Sequence, residues 1–198
     1  MYNFASTLLF YLAKLFRLLS VKGKENIPRD ERYIITCSHK GWVDVIMLAL
    51  SIYPTPVYYM AKKELFNTKI KEKFFRSINA FPVNRENPGP SALKIPLQLL
   101  KQNKCVGIFP SGTRTNEEVS LKRGAVTIAI KSNAPLIPAA YKGATNFKEI
   151  IGGRRSSIIL GKPLNFEEKK QVLGKDELIE YALKTLETEI KKLEENLQ

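Results

Sequence analysis

His39 is the only histidine of the chain, so any imidazole chemistry must run through it. It follows the apolar run RYIITCS (residues 32–38) and stands five residues before Asp44, in the segment SHKGWVD. A carboxylate bonded to one imidazole nitrogen fixes the tautomer and leaves the other nitrogen as a general base. Five residues of regular helix span about 7.5 Å and turn about 140°, so the two side chains cannot meet on one helix. They meet if His39 sits in a turn before the helix and Gly41 lets the chain fold back. A purely structural account stands beside this one. Asp in a first helical turn is favoured by capping and by the helix dipole alone, and a lone histidine is often an ordinary hydrogen-bonded residue. Asp44, one of three aspartates, is nevertheless set among Trp42, Val43, Val45 and Ile46. An acid in so apolar a setting needs a partner.

A second group follows another apolar strand-like run, in Phe109-Pro110-Ser111-Gly112-Thr113-Arg114. Ser111 and Gly112 suit a tight turn with available backbone N–H groups, and Arg114 offers a planar fork for phosphate. A generic loop with a solvated arginine is the plainer reading. Arg85 closes a third such run, Phe81-Pro82-Val83-Asn84-Arg85. Two arginines and a histidine at successive strand ends would suit a phosphorylated substrate that carries an acceptor group. Competing schemes lack their motifs. GxSxG, Walker A and GxGxxG are all absent. One histidine, two cysteines and scattered acids give no convincing metal site.

Strand-like and helix-like runs alternate from residue 32 onward, and this alternation must position those groups. Strands are expected at 32–38, 57–61, 80–83, 105–110, 136–141 and 157–160. Helices are expected at 43–52, 69–78, 92–101 (interrupted or bent near Pro96) and 124–131. The expected fold class is α/β: a single domain, residues 21–198, with a mostly parallel central sheet flanked by helices. Such sheets bind ligands beyond the carboxyl ends of their strands. In the C-terminal helix, Ile179, Leu183, Leu186, Ile190, Leu193 and Leu197 form a seam spaced by fours and threes. Packing of that seam onto its own domain is expected, although self-association would use the same seam, and the oligomeric state is unknown.

Residues 1–20 are expected to form an N-terminal amphipathic interfacial helix. On a helical wheel Asn3, Ser6, Thr7, Lys14 and Arg17 share one arc of about 100°, with Phe10 the apolar intruder. Phe4, Leu8, Leu9, Tyr11, Leu12, Leu15, Phe16, Leu18 and Leu19 fall on the opposite half. That pattern suits a helix lying in a membrane interface, with Lys14 and Arg17 towards headgroups. An ordinary helix covering the core has the same pattern. The run is a poor secretory signal, because charges interrupt it and no small-residue cleavage site follows. No apolar stretch of about 18 residues is present to cross a membrane.

The net charge of +13 implies an anionic partner. Residues 1–163 hold 26 basic and 10 acidic side chains, a net of +16, whereas residues 164–198 hold 6 and 9, a net of −3. No nucleic-acid-binding motif accompanies the charge, so no specific nucleic acid is expected. Lys62, Lys63, Lys69, Lys71, Lys73 and Arg76 form a basic surface that would suit lipid headgroups or simply a solvated helix face. A hydrophobic content of 44% excludes a disordered basic tail. Two cysteines exclude a disulfide scaffold.

These blocks, in this order, resemble the glycerolipid acyltransferase family, which includes the 1-acylglycerol-3-phosphate acyltransferases. The family's N-H-x4-D is matched by Ser38-His39-x4-Asp44, and its F-P-E-G-T-R by Phe109-Pro110-Ser111-Gly112-Thr113-Arg114. Lys62-Lys63-Glu64-Leu65 with Phe81-Pro82-Val83-Asn84-Arg85 looks like the block between them, and Ala134-Pro135-Leu136-Ile137-Pro138-Ala139 like the last. The likeness covers roughly residues 20–163. It implies His39 as general base and Asp44 as its orienting partner. It also implies acceptor binding by Arg85, Ser111, Gly112, Thr113 and Arg114, with Lys62 and Lys63 contacting donor or membrane. The acceptor would be lysophosphatidic acid and the product phosphatidic acid. The donor would be acyl-acyl carrier protein or acyl-coenzyme A, with no cofactor or metal, and the site of action the cytoplasmic face of an anionic cell membrane. Two departures matter: Ser111 replaces the family's Glu, and Ser38 its Asn. The alternatives are another acceptor, such as glycerol-3-phosphate or a different lysolipid, and a non-catalytic basic module binding membrane or nucleic acid.

Overall fold

The computed structural model describes residues 2–29, 31–38, 41–84, 89–109 and 116–197, the side chains of 116–120 excepted. Helix α1 (Tyr2–Leu15) leads into strand β1 (Leu19–Lys22). Then β2 (Tyr33–Cys37), α2 (Trp42–Ser51), β3 (Val57–Lys62), α3 (Lys69–Ser77) and β4 (Ala80–Val83) follow. The chain continues through α4 (Ser91–Lys101), β5 (Cys105–Ile108), α5 (Asn116–Ser132), β6 (Leu136–Lys142), α6 (Phe147–Ile151) and β7 (Ser156–Leu160). It closes with the short α7 (Glu167–Lys170) and the long α8 (Lys175–Glu195).

The seven strands form one sheet in the order β1-β7-β6-β2-β5-β3-β4. Neighbours from β6 to β4 pair in parallel, as the alternating pattern requires. β7 pairs antiparallel to β6 and parallel to β1, so these two strands at one side of the sheet run against the other five. β2 is buried at every residue, because helices cover it on both faces. One apolar layer holds Ile34, Val106, Ile108 and Leu136 with residues of α4, α5 and α8. The other holds Tyr33, Ile35, Cys37, Tyr59 and Ile137 with Val43, Met47 and Leu48 of α2 and Ala13 of α1.

Three expectations change. The N-terminal helix ends at Leu15, short of residue 20, and residues 19–22 are strand β1. Four residues inside an apolar run carry little strand signal of their own, and it is pairing with β7 that makes them one. The helix expected from residue 124 starts eight residues earlier, at Asn116. α4 is helical through Pro96, which lies buried within it. The C-terminal seam closes on its own domain, with Leu178, Ile179, Ala182, Leu186 and Ile190 buried against the sheet and α5.

Candidate active site

Three of the segments singled out in the sequence leave the same edge of the sheet. β2, β5 and β4 lie within four neighbouring parallel strands, and Ser38, Phe109 and Asn84 stand just beyond their carboxyl ends. The register aligns Thr36 with Ile108 and Lys62 with Val83. That edge is where a parallel sheet opens a crevice. His39, Arg85, Ser111, Gly112, Thr113 and Arg114 themselves lie outside the described residues.

Asp44 is described in full. It occupies the third position of α2, is completely buried, and accepts the Gly41 backbone N–H at 2.9 Å through Oδ2. A carboxylate there faces the positive end of the helix dipole and ties the backbone of Gly41 to the first turn of α2. Gly41 is needed for a reason other than the one the sequence suggested. Its φ of −178° is extended backbone that any residue adopts. A Cβ at Gly41, however, would stand 2.2 Å from the Thr145 carbonyl oxygen. Gly41 is therefore pressed directly against the loop that follows β6.

That loop is held by a carboxylate the sequence reading missed. Glu149 accepts the Thr145 backbone N–H at 3.0 Å, the Thr145 hydroxyl at 3.1 Å and the Asn146 side-chain amide at 3.1 Å. Arg154 Nη1 adds an ion pair at 2.9 Å. The Thr145 N–H, its hydroxyl and Arg154 hold the Glu149 carboxyl below the usual glutamate range, against a smaller opposing effect of desolvation. Asn146 also caps α6 by accepting the Glu149 N–H. The pair Asn146-x-x-Glu149 was legible as a capping box. Beneath the loop, the Tyr141 hydroxyl donates to the Ala144 carbonyl and meets Ser156 Oγ at 2.8 Å. Burial raises the Tyr141 phenol above its ordinary range.

Beside the crevice, a cleft of about 430 Å³ opens between β3, β4, β5 and the helices α4 and α5. Met60, Val83, Leu93, Ile108, Leu121 and Ile128 give it an apolar lining. Lys62 and Lys63 are exposed at the end of β3, with Lys63 4.0 Å from Glu64. Among the described residues no cluster of three potential metal ligands occurs.

The N-terminal helix shows which arc of its wheel faces the protein. Phe10 stacks on Tyr53 with ring centroids 4.3 Å apart, Thr7 hydrogen-bonds the Tyr53 hydroxyl at 3.0 Å, and Ala13 is buried. The Tyr2 hydroxyl accepts the Val57 N–H at 3.1 Å. Phe10, an intruder on the wheel, is thus the docking residue. Of the opposite half, Phe4, Leu8, Tyr11, Leu15 and Phe16 point away from the domain, Phe4 being 77% exposed, whereas Leu18 and Leu19 lie past the end of the helix and pack on the core. Lys14 and Arg17 are exposed near its end. Among the described residues no helix is long and apolar enough to cross a membrane.

Residues 18–142 match the family model described as Acyltransferase. A 1-acyl-sn-glycerol-3-phosphate acyltransferase of Bacillus subtilis (strain 168) is 47% identical over 197 residues, spanning 100% of this chain and 98% of that one. The chain belongs to the acyltransferase family. A relative of the same description from Streptococcus pneumoniae (strain ATCC BAA-255 / R6) is 35% identical over 173 residues, 86% of this acyltransferase and 64% of the pneumococcal chain. Among solved structures, the crystal structure of the 1-acyl-sn-glycerophosphate (LPA) acyltransferase PlsC from Thermotoga maritima matches with a TM-score of 0.64. At 23% identity, it covers 95% of this chain and 79% of its own, and the fold is shared.

Proposed function

We propose that this acyltransferase moves a fatty acyl chain from a thioester donor to the sn-2 hydroxyl of lysophosphatidic acid, giving phosphatidic acid for phospholipid synthesis. The full-length 47% match to the Bacillus relative carries this reading. A thioester is already activated, so the reaction needs a base, orientation and stabilisation of developing negative charge. His39 takes the proton as the acceptor oxygen attacks the thioester carbonyl, and the new C–O bond forms. As the tetrahedral adduct collapses, the C–S bond breaks and the imidazolium returns its proton to the departing thiolate. Asp44, held at the head of α2 by the Gly41 N–H, fixes the tautomer of His39. Arg85 and Arg114, with the turn Ser111-Gly112-Thr113, bind the acceptor phosphate. Acyl-acyl carrier protein or acyl-coenzyme A supplies the chain, which the apolar cleft beside β3, β4 and β5 has room to receive. No metal or further cofactor takes part.

The enzyme works as a monotopic protein on the cytoplasmic face of an anionic membrane, with the outward half of α1 in the interface. The supporting observation is that the helix docks through Thr7, Phe10 and Ala13 and leaves its leucines and rings outside. The test is transfer of labelled acyl chain to lysophosphatidic acid by purified protein on anionic vesicles, with each donor in turn. His39→Ala is expected to abolish transfer with vesicle binding intact. Retention of more than a few per cent of the rate refutes the base. Arg114→Ala is expected to raise KM for the acceptor far more than for the donor, and equal effects refute its phosphate role.

A further inference from the structure

Helix α3 has an outward face that the reaction does not use. No residue of its nine is buried. Ile70 is 84% exposed and Phe74 51% exposed, one helical turn apart and so on one ridge. Phe75 is the ring that turns inward, against Phe66 at 5.4 Å. At about 100° per residue, Lys69 and Lys73 fall on one flank of the Ile70–Phe74 ridge and Lys71 on the other. Arg76 pairs with Glu72 at 2.8 Å. Two large apolar side chains at an apex, with ammonium groups on both sides, are arranged as in a helix lying flat in a lipid interface.

The topology puts this ridge on the same side of the sheet as α1. β2 to β3 and β3 to β4 step in one direction across the sheet, so right-handed crossovers place α2 and α3 in one layer. α1 packs on α2 in that layer. A single helix on a membrane is one line of contact and leaves the protein free to roll about it. A second contact, away from that line, fixes the roll and thereby the direction in which the crevice opens.

We propose that α3 is a second membrane contact, with Ile70 and Phe74 entering the acyl boundary and Lys69, Lys71 and Lys73 binding anionic lipid headgroups. This rests on the membrane reading of α1, and the test separates the two. Cys37 and Cys105 are both buried, so one introduced cysteine can be labelled selectively. An environment-sensitive fluorophore is placed at Ile70→Cys in one sample and at Leu8→Cys in another. Each is mixed with phosphatidylcholine vesicles with or without phosphatidylglycerol. Blue shifts at both positions with the anionic vesicles are expected. A shift at position 8 with none at position 70 overturns the second contact and leaves α1 standing. Silence at both positions overturns the membrane reading as well. A shift at position 70 with acidic acyl carrier protein instead of vesicles makes α3 a protein dock and also overturns the proposal. Without labels, Ile70→Ser with Phe74→Ser is expected to weaken vesicle binding about tenfold or more. Each lysine changed to Gln costs about fivefold, and the lysine effect vanishes in high salt. Unchanged binding in both sets refutes the assignment.

Discussion

Helices α1 and α8 are both amphipathic, and they put their apolar sides to opposite uses. In α8 the apolar seam is narrow, charged residues flank it, and Leu178, Ala182 and Leu186 disappear into the core. α1 has a wide stripe of leucines and aromatic rings, yet it docks through the smaller opposite arc and keeps that stripe outside. The comparison teaches that a wheel shows a helix has two faces without showing what each face meets. What decides is whether the domain already has a complementary surface. For α8 the sheet and α5 provide a long apolar groove. For α1 the domain offers a short surface around Tyr53, which takes Phe10 and Thr7, with Ala13 buried and Tyr2 bonded to the Val57 N–H.

The largest expected effect comes from introducing the same charge into each helix. Leu186→Asp buries an unpaired carboxylate and is expected to cost about 4 kcal/mol or more, a large fraction of the stability of a typical domain. Leu8→Asp is expected to shift stability by about 0.5 kcal/mol or less while abolishing sedimentation with anionic vesicles. Thermal unfolding and vesicle sedimentation of the two variants check this contrast, which is broken if Leu8→Asp melts the protein as Leu186→Asp does.

Gly41→Ala ranks next. Its Cβ would be driven into the Thr145 carbonyl, backbone against backbone, so either α2 or the loop after β6 must shift. A loss of about 1–3 kcal/mol is expected, with a fall in kcat larger than any change in KM for the acceptor. A stable variant with full kcat would separate the Thr145 loop from catalysis.

The smallest effect sharpens the role of that loop. The Glu149 carboxyl is held below its ordinary range by the Thr145 N–H, so its contribution to stability is complete above the unfolded glutamate pKa. It is lost as pH falls through the depressed folded value. The melting temperature of Glu149→Gln is therefore expected to lie slightly below that of the parent at neutral pH and to converge with it in acid. Parallel profiles over the whole range would show that the charge of Glu149 is not what holds the loop.

The part of the fold that depends on local pattern could be read from the sequence. Buried parallel strands are near-continuous apolar runs, and β2, β3, β4, β5 and β6 all announced themselves that way. That Asp44 is buried with a hydrogen-bond partner was recognisable, because an acid among Trp42, Val43, Val45 and Ile46 is costly without one. What was hidden depends on contacts distant in the chain. β1 is a strand through its pairing with β7, more than 130 residues away. The demand for glycine at position 41 comes from Thr145, on another loop altogether. The outward turn of the α1 stripe follows from a stacking partner, Tyr53, in the connection between α2 and β3.

The reversal of β7 and β1 has a consequence for distance. Because β1 runs against the central strands, it begins at the edge of the sheet from which the Ser38, Asn84 and Phe109 segments depart. Leu18, just before it, is fastened there by its carbonyl, which accepts the Ser156 N–H at 2.8 Å. The last turn of α1 is thus brought level with the crevice. A lipid acceptor held in the interface would need to rise no further than its own headgroup to present its hydroxyl, and its tails could remain among their neighbours throughout the reaction. An edge strand that contributes little to catalysis would in this way set the height at which catalysis takes place.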